Sequence, residues 1–219
     1  MPGDPFDIDV PPDAPLRRAA LMAARPLLSR GLQLETLGAH YRMLGPHTAQ
    51  TFPAAALSAL SISVQDAGTS AAHVPASGPV IVAANHPHGA LDGLALLSLV
   101  GSVRSDVRLI ANHWLARIPE LQASCFFVDP FDGAGAASRS VSGLRSARRW
   151  LEDGGALIVF PAGEVAHHWA AGTLIDSEWK TGMAKLARAA KAQFVPAFIA
   201  GHNRRLFYLA GSLHPAVHG

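Results

Sequence analysis

Apolar positions along the chain fall into short β-branched runs separated by longer stretches of helical spacing, the alternation expected of an α/β layer fold. Strands are predicted over 79–84, 107–111, 124–128, 156–160 and 194–200, with a shorter one near 61–64. Helices are predicted near 53–60, from the loop at 85–93 to about 101, over about 141–152, and over 181–192. In the last of these, Met183, Leu186, Ala187 and Ala190 recur at the i, i+3, i+4, i+7 spacing of a face turned to a core. Lys185, Arg188 and Lys191 fall on the opposite side. Upstream, 16–44 reads as helical and Ala-rich, carrying Arg17, Arg18, Arg25 and Arg30, with Pro26 kinking it or starting a second helix. Residues 1–15 hold five prolines and predict a poorly ordered leader. The segment DGAGAASRS (132–140) predicts a flexible loop. The expected organisation is thus a leader (1–15), a helical segment (16–60) and one α/β domain (61–219), its sheet flanked by helices.

Composition narrows the function. With 49% hydrophobic residues in 219, the chain can build a substantial core and is not globally disordered. Lys and Arg total 18 against 16 Asp and Glu, which provides no polyanion-binding charge density, so nucleic acid is excluded as an expected partner. The lone cysteine, Cys125, rules out an internal disulfide framework and a cysteine zinc cluster, and beside Phe126 and Phe127 it predicts a buried thiol in a reducing compartment. His167-His168 has no further ligand at a recognisable spacing, so neither a metal nor a resident cofactor is expected. No run of 18 apolar residues occurs, and the acidic, Pro-rich start lacks a basic n-region. Membrane contact is therefore expected to be peripheral.

Two segments share one grammar: IVAA-NHPHGALD and ALIVF-PAGE each run from an apolar strand into a polar or Gly/Pro-rich loop. Ligands of open α/β sheets sit outside strand carboxyl ends, so both loops are candidates for one shared site. His86 and Asp92 are six residues apart, and six helical steps rotate about 240°, so they meet only with His86 in the loop and Asp92 in the first helical turn. His88, four residues before Asp92, shares a helical face with it if the helix starts early. Spacing leaves both imidazoles open. Either one, held by a carboxylate at one ring nitrogen, would have the other nitrogen available as a base.

NHPHGALDG (85–93) resembles the His-Asp signature of the glycerolipid acyltransferase superfamily, the lysophosphatidic acid acyltransferase type, and within it the hemolysin-like lysophospholipid acyltransferases. FFVDPF (126–131), FPAGEV (160–165) and VPAFIAGHN (195–203) resemble the three further blocks in order, with WKTGMAKLA (179–187) and LFYLAGSLHP (206–215) also similar. The resemblance implies a mixed sheet flanked by helices, His86 as the catalytic base and Asp92 as its partner. It places Asn85, His88, Gly89, Asp129, Phe160, Pro161, Gly163 and Glu164 at the substrate. It further implies acyl-coenzyme A or acyl carrier protein as co-substrate, a lysophospholipid-like acceptor, and a peripheral place at the cytoplasmic face of the inner membrane. This chain differs from the commoner FPEGTRS form of the third block: Ala162, Glu164 and Val165 replace its Glu, Thr and Arg. Those Glu and Arg positions are associated with holding a glycerol phosphate, so the replacement leaves room for an amino-acid lipid or another headgroup. An ester or thioester hydrolase and an inactive lipid-binding protein of the same fold are the alternative readings. The absence of a G-x-S-x-G elbow disfavours the serine route to hydrolysis.

Overall fold

The computed structural model describes residues 5–6, 34–67, 73–129, 136–170 and 173–203. The rest of the predicted leader, the helical stretch before residue 34, the loop at 130–135 and the closing segment 206–215 lie outside the described residues. Two compact units are present, Met1–His47 and Thr48–Gly219. In the first, α1 (Leu34–Leu44) carries Tyr41, whose ring meets Phe6 edge-on at 5.8 Å.

The second unit opens with α2 (Phe52–Ala59), where Pro53 sits in the first turn that its fixed φ favours. The strand expected near 61–64 does not form, and a helix terminus takes its place. Ser61 adopts φ 57° and donates its N–H to Ser58, while the Ile62 N–H reaches back to the Leu57 carbonyl. That pair of bonds is a Schellman motif, which satisfies the last carbonyls of α2.

Five strands then build the sheet: β1 (Val80–Ala84), β2 (Val107–Asn112), β3 (Cys125–Val128), β4 (Ala156–Val159) and β7 (Gln193–Ala197). Their order is β3-β2-β4-β1-β7, and every pairing within the sheet is parallel. The antiparallel pairing expected of a mixed sheet is found, among the described residues, only in a separate hairpin of β5 (His168–Ala170) and β6 (Thr173–Ile175). Parallel strands covered on both faces need no polar alternation, which is why VIVAA and ALIV are apolar throughout and buried at every position. Pro196, which has no N–H to give a ladder, lies in β7 at the sheet edge.

One face of the sheet is packed by α4 (Ala136–Glu152) and α5 (Gly182–Ala189), with Ala147, Leu151, Ala187 and Ala190 against Ile81, Ala83, Leu157 and Val159. Met183 and Leu186 join this cluster, so the apolar face predicted for that helix is the buried one. The helix is shorter than predicted, because Lys191 at φ 51° ends it before the strand. On α4, a Cβ at Gly143 would stand 2.1 Å from the Phe127 carbonyl oxygen, so only glycine permits this approach to β3. α4 also begins earlier than expected: residues 136–140, read as loop, are helical. α3 (Ala90–Gly101) packs on β2 and β4, with Gly93 against Leu109, and α2 packs on α3. Among the described residues no helix is long and apolar enough to cross a membrane.

Arg104 ties the amino ends of three strands together. Its guanidinium donates to the carbonyls of Pro75, Gly78 and Gly154 and forks onto Asp106 at 2.9 and 2.6 Å. Only 4% of Arg104 is exposed, so its removal leaves these acceptors unpaired in or near the interior. Arg104→Ala is expected to lower the unfolding free energy by about 2–4 kcal/mol, read by denaturant titration. The hydrogen bond from Arg104, aided by its charge, holds the Asp106 carboxyl below the usual carboxylate range against the effect of burial. A depressed folded-state value means that this contribution is complete above the ordinary carboxylate pKa, near 4, and is lost as pH falls through the lowered one.

Cys125 is buried, as expected from its neighbours, and burial pushes its thiol up to about 12 despite the opposing charge of Arg108. Because the thiolate is the reactive species, folded protein at pH 8 should resist iodoacetamide, with alkylation appearing only on denaturation. Rapid modification of folded protein, followed by mass spectrometry, would contradict that burial.

Candidate active site

The connection leaving β1 passes over β4 to reach β2, and the one leaving β4 passes over β1 to reach β7. Adjacent strands thus send their chains opposite ways, and a crevice opens at their carboxyl ends. The two loops singled out in the sequence, 85–89 after β1 and 160–165 after β4, meet there.

Gly89, at φ 73°, turns the chain into α3 and places Asp92 in the first helical turn. Asp92 is 2% exposed, and its Oδ2 accepts both from His86 Nδ1 at 2.9 Å and from the His88 N–H at 2.8 Å. A carboxylate reaching back to backbone N–H groups before its own helix satisfies donors the helix cannot, and the helix dipole favours its charge there. A ring that donates Nδ1–H to this carboxylate leaves Nε2 as the nitrogen with the free lone pair. The His86 ring also stacks on Phe160, with centroids 3.8 Å apart and planes at 15°, so neighbouring strands grip it from two sides.

This geometry separates the two imidazoles. His86 takes Asp92, whereas the His88 ring turns away, its Nε2 lying 3.2 Å from the Ala200 carbonyl. Asn85 is likewise used internally. Its Nδ2 donates to the Ile199 carbonyl at 2.8 Å and its Oδ1 accepts the Ile199 N–H at 2.7 Å, pinning the loop to the chain beyond β7.

Beside His86 lies a mainly apolar cleft of about 710 Å³, within the range of small-molecule sites. Gly89, Asp129, Phe160, Pro161, Gly163 and Glu164 line it with His86, while Asn85, His88 and Asp92 do not. Asn85 and His88 bond to the chain beyond β7 and hold the loop from outside the cleft lining. Ser140 on α4 fixes Asp129 by accepting its N–H and donating to its carbonyl. Leu109, Ile110, Leu144 and Met183 supply much of the apolar wall, and Trp114, 60% exposed, stands at the rim.

The spacing of motifs gave no sign of the strap formed by residues 176–180. Asp176 Oδ1 accepts the His86 backbone N–H at 3.1 Å and its Oδ2 accepts from Trp179. Ser177 Oγ donates to Glu164, and the Lys180 N–H donates to the Pro161 carbonyl. One short segment thus fastens both loops. Its residues lie far from the His-Asp block in sequence, and only the similarity of WKTGMAKLA to a known spacer drew attention to part of it.

Comparison with known proteins identifies the family. The chain matches the family described as Acyltransferase over residues 18–218 and belongs to it. A lyso-glycine lipid O-acyltransferase of Phocaeicola vulgatus is 27% identical over 146 residues, 66% of this chain and 50% of that protein. The chain thus spans about half the length of this curated relative. The crystal structure of the 1-acyl-sn-glycerophosphate (LPA) acyltransferase PlsC from Thermotoga maritima is similar with a TM-score of 0.48 and 17% identity, covering 91% of this chain and 90% of that one.

Proposed function

We propose that this chain is an O-acyltransferase that moves a fatty acyl group from a thioester, acyl-coenzyme A or acyl carrier protein, to the hydroxyl of a lysolipid. The observation that carries this reading is the 2.9 Å bond from His86 Nδ1 to the buried Asp92 at the edge of a lipid-compatible cleft. His86 Nε2 removes the acceptor hydroxyl proton as that oxygen attacks the thioester carbonyl. Asp92 stabilises the imidazolium that forms. The tetrahedral intermediate then collapses, the carbon–sulfur bond breaks, and the departing thiolate takes up the proton carried by His86. No acyl-enzyme is formed.

The acceptor named for the Phocaeicola relative, a lyso-glycine lipid, is extended to this chain as the first acceptor to test. Trp114 at the rim and the apolar wall behind it favour loading from a membrane surface, at the cytoplasmic face where acyl donors are made. The test incubates purified full chain with labelled acyl-coenzyme A or acyl carrier protein and a panel of lysolipids. Label recovered in the esterified lipid supports the reading. Release of free thiol and fatty acid, equal with and without any acceptor, contradicts it in favour of a hydrolase.

A further inference from the structure

Two hydrogen bonds hold the backbone of His86, and both come from the feet of one hairpin. Before β5, the Ala166 N–H donates to the His86 carbonyl at 2.8 Å. Directly after β6, Asp176 Oδ1 accepts the His86 N–H at 3.1 Å. The chain between them runs out along β5 and returns along β6, with His168 paired to Ile175 next to the two feet. The hairpin therefore closes on a single residue, and that residue carries the base.

Asp92 and Phe160 act on the ring instead, at Nδ1 and across its face. Those contacts set how the ring is turned, whereas the backbone sets the point from which it turns. Of the two backbone anchors, Ala166 contributes a main-chain N–H that its side chain does not alter. Asp176 contributes a side chain. It is half-buried, and its carboxylate makes a stronger bond to an N–H than a neutral carbonyl does. The Trp179 indole N–H occupies Oδ2 at 2.9 Å, which keeps Oδ1 directed at His86. A reacting group misplaced by about 1 Å loses on the order of 100-fold in rate, so this anchor bears on catalysis from behind the base.

We infer that Asp176 is a positioning residue of the reaction, holding the His86 backbone where the ring reaches both Asp92 and the acceptor. Asp176 is not among the residues that line the cleft, so it acts through His86 and not on the substrate. This role rests on the acyltransferase reading and adds to it a carboxylate from outside the His-Asp block. The proton transfer remains with His86.

Steady-state kinetics on the full chain test the role, with acyl-labelled palmitoyl-coenzyme A or palmitoyl-acyl carrier protein as donor and a lyso-glycine lipid as acceptor. Circular dichroism confirms the folding of each variant. Asp176→Ala should lower kcat by about 10–100-fold, with KM for donor and acceptor within about twofold of wild type. Asp176→Asn should recover kcat to within about threefold of wild type. Its amide oxygen still accepts the His86 N–H, and the partly exposed Trp179 indole can turn to water. In the His86→Ala background, adding Asp176→Ala should change the residual rate by less than about twofold, since no base remains to be placed. Should Asp176→Ala fail to fold, Asp176→Ser, too short to reach the His86 N–H, is read by the same criteria. A wild-type kcat for Asp176→Ala, a loss expressed in KM, a loss that Asp176→Asn does not recover, or an undiminished loss in the His86→Ala background overturns the role. Each of these leaves the acyltransferase reading standing. No ester from wild type, or wild-type turnover by His86→Ala, overturns both.

Discussion

His86→Ala is expected to reduce acyl transfer by roughly 10²–10⁴-fold, the usual contribution of a positioned acid–base group, while leaving the fold intact. The ring lies at the cleft and stacks on Phe160, so its loss removes one aromatic contact and one of the two donors to Asp92, whose Oδ2 keeps the His88 N–H, and disturbs no buried strand packing. His88→Ala should fall much less, because among the described residues that ring bonds only the Ala200 carbonyl, and its loop-shaping N–H to Asp92 belongs to the backbone. The comparison is made at equal concentrations of folded protein, with circular dichroism to confirm folding. A His88→Ala variant that loses turnover while His86→Ala keeps it would reverse the assignment of the base.

The second large effect falls on Asp92. Both groups that bond its Oδ2 are donors, so an asparagine could present its carbonyl oxygen to the same two partners and keep the loop in place. What it lacks is the negative charge that stabilises an imidazolium. Asp92→Asn should therefore lower kcat by roughly 10²–10⁴-fold with little loss of stability. Asp92→Ala removes the acceptor as well, leaving the His88 N–H and His86 Nδ1–H unpaired in a part-buried site, and should also destabilise the fold by about 1–3 kcal/mol. A kcat of Asp92→Asn equal to that of wild type would show that the carboxylate does not support catalysis.

The sequence made the centre of the sheet legible for a physical reason. Strands buried on both faces read as unbroken apolar runs, so β1 and β4 were placed within a residue of their observed limits. The limits of α4 were less visible, because AASRS follows two glycines and carries no apolar stripe, although alanine and arginine are good helix formers. At 61–64 serine alternates with the β-branched Ile62 and Val64, a strand-like pattern, yet Ser61 at φ 57° closes the end of α2 instead. The three-residue strands of the hairpin are too short to show any period.

At the site, the motif gave the His86 and Asp92 positions, while spacing alone could not separate His86 from His88. Tertiary structure separates them through the turn at Gly89, which lets one carboxylate reach a ring six residues back and an N–H four residues back. The resemblance places Asn85 at the substrate, and its amide makes two hydrogen bonds to the backbone of Ile199, 114 residues away, which no local pattern shows. Asp176, 90 residues from His86, was equally beyond reach of any local pattern.

The claim on which these results depend is that the imidazole of residue 86 takes the proton from the acceptor. Its most direct measurement is acyl transfer by His86→Gly with imidazole added to the solution. Negligible transfer is expected without imidazole, and transfer that rises with imidazole concentration, the ester forming on the same acceptor hydroxyl as in wild type. Transfer by His86→Gly at the wild-type rate with no imidazole present would contradict it.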